Sequence, residues 1–268
     1  MNHQKGPLGL AAVPFAASFA AVSFAAVLLS TALGCTLNDV DSDAIRSNGM
    51  FAEMLAIAPG SGDTLVRVNL TVGGASGTRV ELVGEDALVA EAGVDSVTLG
   101  RTGRGRYQET LPGEAAREIK VRLDRGPQDE VVEGSVVLPE PYALQLGTEV
   151  EQGVSRSPPV IVSWDPPGAE GETVEWSVAG DCIWSDSGVT PDDGVMTIQP
   201  EHIRVSPTQV GEDCLVRVTL DRSVKHSLDA VFVPGSSLRA IQRRAVRFSS
   251  TPAPGEKNGP PLSAGATP

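Results

Sequence analysis

Three thiols, a cluster of carboxylates and a knot of guanidiniums are the groups in this 268-residue sequence whose types and spacing could do chemistry. Asp181, Asp186, Asp192 and Asp193, followed by Gly194, gather acid beside Cys182. A hard cation such as calcium takes about 6–8 oxygen ligands from converging loops, which closely spaced aspartates can supply. Aspartate also favours turns through its own local hydrogen bonds, so the same spacing fits solvated turns. The run Asn38-Asp39-Val40-Asp41-Ser42-Asp43 alternates oxygens too, but it lacks the turn glycine and distal glutamate of a calcium loop. Calcium at the first cluster is the one metal the sequence suggests, and no other cofactor is expected. Basic residues concentrate against the overall charge between positions 101 and 125. Arg101, Arg104 and Arg106 interleave with Gly103 and Gly105. That pattern reads either as a mobile loop contacting an anionic glycan or an acidic envelope protein, or as an ordinary solvated loop.

Other chemistries find little here. No G-x-S-x-G, H-E-x-x-H, P-loop or dinucleotide fingerprint occurs. Beyond residue 34 the only histidines are His202 and His226, too few to expect a Ser-His-Asp or zinc site. Paired carboxylates can hydrolyse glycosides. With 34 acidic residues chance pairs are common, and the aromatic platforms of a sugar site are scarce. Trp164 and Trp176 are expected in a core, which leaves Trp184 for the surface. No enzyme activity is expected, and a hydrolase is the least favoured reading. The net charge of −13 argues against nucleic acid and against a generally basic membrane-binding surface.

The elements that must position these groups are strands. In Leu65–Val72, Val66, Val68, Leu70 and Val72 share one face while Arg67, Asn69 and Thr71 share the other, the period-two pattern of a half-buried strand. Gly73-Gly74-Ala75-Ser76-Gly77 is a turn. Further strands fit 80–82, 88–90, 97–99, 107–111, 119–123 and 131–137, then 160–164, 174–178, 196–198, 215–220, 230–233 and 245–248. No stretch beyond residue 34 sustains a helical period. Short strands punctuated by Gly and Pro predict an all-β chain of two tandem sandwiches, over 49–138 and 139–249. Leu138-Pro139-Glu140-Pro141-Tyr142 (138–142) would be the hinge, because each proline removes a ladder donor. Residues 250–268, rich in Pro and Gly, are expected to form a disordered tail.

The sandwiches have a recognisable cast. Pro158-Pro159-Val160-Ile161-Val162-Ser163-Trp164-Asp165-Pro166-Pro167 resembles the opening of a fibronectin type III module, an alternating strand ending in a core tryptophan and prolines. Cys214 leads Val216, Val218 and Leu220 where that family carries a tyrosine, so immunoglobulin-like is the broader description the residues support.

The amino terminus is an address. Lys5 is followed by a charge-free stretch from Gly6 to Gly34, and Thr31-Ala32-Leu33-Gly34-Cys35 resembles a lipobox, with Ala32 and Leu33 in the reverse of the usual order. The resemblance implies removal of residues 1–34 as a signal peptide and lipid on Cys35, so that the protein meets the membrane through that lipid. Residues 35–48 then form a lipidated cysteine and flexible tether. An uncleaved span or ordinary secretion are the alternatives, and all three put the folded part outside the cytoplasm. Thr36, where the enterobacterial sorting rule reads Asp, favours the outer membrane. With Cys35 lipidated, Cys182 and Cys214 are left as a structural disulfide; a redox or metal pair is the alternative, and no C-x-x-C spacing exists. The whole arrangement resembles two-domain lipoproteins of Gram-negative bacteria, carried by Ser47-Asn48-Gly49, Leu138-Pro139, the cysteine pair and Gln242–Phe248. That group has no established activity, so the resemblance implies a lipid-anchored envelope protein with a binding or structural role. A calcium-dependent adhesive or ligand-binding module is the alternative.

Overall fold

The computed structural model of the chain describes residues 39–114, 117–126, 130–147, 154–206 and 211–252. The expected signal peptide, Cys35 and residues 253–268 of the expected tail lie outside them. Among the described residues all regular structure is strand, apart from single 3-10 turns. The first half holds β1 (Val40–Asp41), β2 (Met50–Ala58), β3 (Asp63–Val72), β4 (Thr78–Glu81), β5 (Ala87–Ala92), β6 (Asp95–Thr98), β7 (Gly100–Gly103), β8 (Arg106–Pro112), β9 (Glu118–Arg125) and β10 (Glu130–Val137). The second holds β11 (Ala143–Leu146), β12 (Val154–Ser155), β13 (Val160–Asp165), β14 (Thr173–Gly180), β15 (Asp186–Pro191), β16 (Val195–Ile198), β17 (Cys214–Ser227) and β18 (Ser237–Thr251).

One large sheet runs β1-β4-β3-β2-β18-β17-β14-β15, with β8 also on β3, β7 on β8 and β12 on β18. A four-stranded sheet, β10-β9-β5-β6, and a three-stranded sheet, β11-β13-β16, stand apart from it. Alternation explains which faces meet. Val66, Val68 and Leu70 of β3 and Ile119, Val121 and Leu123 of β9 are wholly buried, while Arg67, Asn69, Lys120 and Arg122 between them reach solvent. The first core joins β2 and β3 of the large sheet to β5, β9 and β10. The second joins β14, β17 and β18 to β13 and β16, with Trp164 inside it and Trp176 packed at its edge. Trp184 is exposed, as its sequence context suggests.

The last strand belongs to both halves. β18 pairs antiparallel with β17 from Ser237 to Ser250, and parallel with β2 from Ser237 to Gln242. Leu238 and Ala240 enter the first core, whereas Phe248 enters the second. The partition at residue 138 assigns 228–240 to the second sandwich, but Leu228 and Phe232 also pack in the first core. Gly134 of β10 makes room for this crossing: a Cβ there would lie 2.3 Å from Leu228 Cδ2. Residues 230–233 are consequently not a strand. They turn tightly, with the Phe232 amide donating to Leu228 O at 3.0 Å.

Three linking segments also depart from expectation. Residues 39–48 are not a free tether: β1 pairs in parallel with β4, and Ser42 and Ser47 are buried. The physical reason is Arg125, whose side chain is wholly buried with Asp86. Its Nε donates to Asp86 Oδ2 at 2.8 Å, and its terminal nitrogens donate to Ser47 Oγ at 3.1 Å, Ser42 O at 2.7 Å and Ile45 O at 2.9 Å. The 138–142 segment is pinned rather than hinged, because Leu138 and Tyr142 are buried in the first and second cores. The tail begins later than residue 250, since β18 continues to Thr251 and Ser250 is buried.

Removing one partner of a buried ion pair strands the other charge, at a cost of about 3–5 kcal/mol. Arg125→Ala should therefore destabilise the fold by about that amount in urea unfolding. It should also expose the amides of residues 42–47 to rapid hydrogen exchange.

Candidate functional site

Two tight turns converge beside the start of the described chain. The first joins β3 to β4 across residues 73–77, and the second joins β7 to β8 at Arg104-Gly105. Both require glycine. A Cβ on Gly77 would lie 1.8 Å from Val72 O. Gly105 has φ +60°, and its Cβ would lie 2.7 Å from Leu70 O. The Leu70 amide donates to Gly105 O at 2.9 Å, which seats the second turn against β3. Arg101, Arg104 and Arg106 are thus carried on a β-hairpin and not on an irregular loop.

The hairpin brings in Arg79, a residue the sequence did not mark. Its stem lies beside Gly105, and the Arg106 stem lies beside Gly103. Between the turns is an open cavity of about 420 Å³, lined by Asp39, Ser76, Thr78, Arg79, Arg104 and Arg106 with Gly77 and Gly103. Arg101 points elsewhere and bonds Glu81. Arg104 Nε donates to both Asp39 oxygens, at 2.8 and 2.9 Å. That bond holds the Asp39 carboxyl below its ordinary value, while the neighbouring Asp39 carboxyl raises Glu81. Arg79 and Arg106 have no ion-pair partner among the described residues. The signal available in the sequence was the pair of turn glycines, each followed closely by arginine.

The four aspartates of the suggested calcium site do not converge. Asp192 is nearly wholly buried, and both its oxygens are occupied: Arg222 Nε donates to Oδ2 at 2.5 Å, and Arg222 Nη2 and Trp164 Nε1 donate to Oδ1 at 2.8 and 2.6 Å. Asp186 Oδ2 lies 2.8 Å from His202 Nδ1. Asp181 accepts from the Leu215 amide at 3.0 Å, and Asp193 accepts from the Val195 amide at 3.4 Å. Among the described residues, the group of potential ligands that does converge is Asp181 with Cys182 and Cys214. Those two sulfurs are joined in the Cys182–Cys214 disulfide, which spans 32 residues with its Cα atoms 5.6 Å apart.

A polar cluster surrounds the buried Tyr142. The guanidinium carbons of Arg222 and Arg244 lie 4.8 and 5.6 Å from the centre of its ring. Its hydroxyl donates to Leu220 O at 2.6 Å, and burial pushes its ionisation far above the ordinary range. Arg244 donates to two backbone carbonyls, Tyr142 O at 2.9 Å and Ala58 O at 3.1 Å. Every group here is satisfied by the fold, and the cluster acts as a structural joint.

No protein-family model and no curated protein sequence matches the chain. Among solved structures, Escherichia coli alpha-2-macroglobulin activated by porcine elastase aligns with 78% of this chain and 22% of its own length, at 13% identity and a TM-score of 0.25. A likeness that slight carries no argument about fold or function.

Two outcomes are expected. Gly105→Ala should cost about 1–2 kcal/mol from its left-handed φ alone, with more from the Leu70 contact, read as a lower melting temperature. For Asp192, burial raises the carboxyl, but the Arg222 and Trp164 bonds outweigh it and hold the folded value below 3.8. A depressed folded value means stabilisation present above the ordinary value and lost as pH falls through the folded one. Asp192→Asn should therefore be less stable than wild type at neutral pH, with the difference shrinking in denaturant titrations as pH falls below 3.8.

Proposed function

We propose that this chain is a lipid-anchored cell-envelope protein with a binding or structural, non-enzymatic role, held on the outer membrane by lipid on Cys35. The observation that carries the reading is how firmly the residues just after Cys35 in the sequence are held. Asp39 already bonds Arg104, and β1 begins at Val40, four and five residues after Cys35. Arg125 then clamps residues 42–47 onto the β-body. A cysteine that close to a rigidly held segment suits a body carried against a surface better than one swinging on a long linker.

The rest of the molecule is in keeping with that role. The two cores are proposed to be two immunoglobulin-like sandwiches sharing β18, an architecture that presents turns. A disulfide suits an oxidising compartment outside the cytoplasm. The basic cavity is open and lined by three arginines, which suits holding an anionic ligand.

Metabolic labelling with a palmitate analogue tests the anchor. Wild type should incorporate label in the membrane fraction, and Cys35→Ser should not. Equal labelling of the two would refute the reading.

A further inference from the structure

We propose that the cavity between the 73–77 and 104–105 turns holds the phosphate of an anionic lipid headgroup, belonging to the membrane that carries the Cys35 anchor. This rests on the anchored reading above.

The donors fit the anion. Arg79 and Arg106 reach the cavity with no carboxylate on either. Arg104 uses only Nε on Asp39, which leaves both of its terminal nitrogens to donate. The hydroxyls of Ser76 and Thr78 stand on the wall. Guanidinium forks match phosphate oxygens in pairs, and each such bond is charge-assisted on both sides. Charge is balanced as well. Glu81 offsets Arg101 and Asp39 offsets Arg104, so the charges of Arg79 and Arg106 are left for an anion.

Placement selects the source. Asp39 forms part of the cavity wall and follows Cys35 by four residues, a length of chain that spans at most ~14 Å when fully extended. A lipid on Cys35 thus brings headgroup phosphates to the cavity at high local concentration, which a soluble anion would have to match by affinity alone. The cavity is also built in advance. Gly77 and Gly105 fix the two turns against β3, so little backbone freedom is lost when a phosphate enters.

Amide hydrogen exchange over residues 74–77 and 103–106 provides the test, with the full chain reconstituted in phosphatidylcholine vesicles with or without phosphatidylglycerol. Exchange should slow when phosphatidylglycerol is present, and protection should fall about five-fold for each guanidinium removed in Arg79→Gln and Arg106→Gln. Neither side chain is ion-paired among the described residues, so both variants should fold as wild type does. Equal exchange in the two vesicles, or full protection of the double variant, would overturn the site. If inorganic phosphate in phosphatidylcholine vesicles protects as well as phosphatidylglycerol does, the site belongs to a soluble oxyanion and the lipid assignment falls. Protection by polyglutamate instead would assign it to an acidic protein and overturn it equally. Palmitate labelling of the same preparation separates the two readings. A chain that is labelled but unprotected refutes the cavity assignment alone, and one that is protected but unlabelled refutes the anchor alone.

Discussion

The structure depends on the dual pairing of its last strand. β18 lies between β17 and β2, so residues at the end of the described chain complete a sheet begun at Met50. Without it the large sheet would divide between β2 and β17 into two edges, each exposing unpaired backbone donors and acceptors. The parallel contact with β2 cannot be made by a hairpin and must await the return of the chain from far along the sequence. Both cores therefore close late, and Leu238 and Phe248 on one strand seal different interiors.

Buried arginines secure what the shared strand brings together. Arg125 ties the opening segment to β9, Arg222 ties β17 to the loops around Asp192 and Glu140, and Arg244 ties β18 to Tyr142 and Ala58. Each binds backbone carbonyls, and the first two add a carboxylate buried with them. A rigid, always-charged fork with five donors can satisfy several carbonyls where irregular chain crosses a sheet edge. A chain so poor in large aromatics has few bulky side chains to fill such junctions, and polar clamps take that place.

The sequence conveyed local order well and long-range assembly poorly. Strict alternation marked β3, β9, β13 and β17, because a strand with one buried face writes period two into its own residues. The Trp164 strand was legible for the same reason, and the cysteine pair from the count of thiols, with Cys35 set aside. The role of β18 was not, since nothing in Ser237–Gln242 announces β2 as a second neighbour. The run 36–48 read as a tether because it is polar, yet polarity there serves Arg125, a partner 78 residues from Ser47. Asp192 read as a surface ligand, since nothing near it in the sequence announces Arg222. In the cavity, Arg104 and Arg106 stood out by their charge, while Arg79 and Asp39 join them only through folding.

On the proposed reading, a basic cavity on an acidic protein resolves an apparent conflict. A net charge of −13 spread over the surface repels an anionic membrane at long range. Salt screens that repulsion beyond about 8 Å at physiological ionic strength. Inside that distance the local set decides, and Arg79, Arg104 and Arg106 outweigh Asp39. In the proposed arrangement approach would be driven by the hydrocarbon of the anchor, and charge would fix orientation, with the acidic remainder turned away from the headgroups and the cavity facing them. An anchor alone would leave the body free to tumble about its attachment. The proposed anchor and cavity together would make two points of contact, which is the least that restricts such rotation.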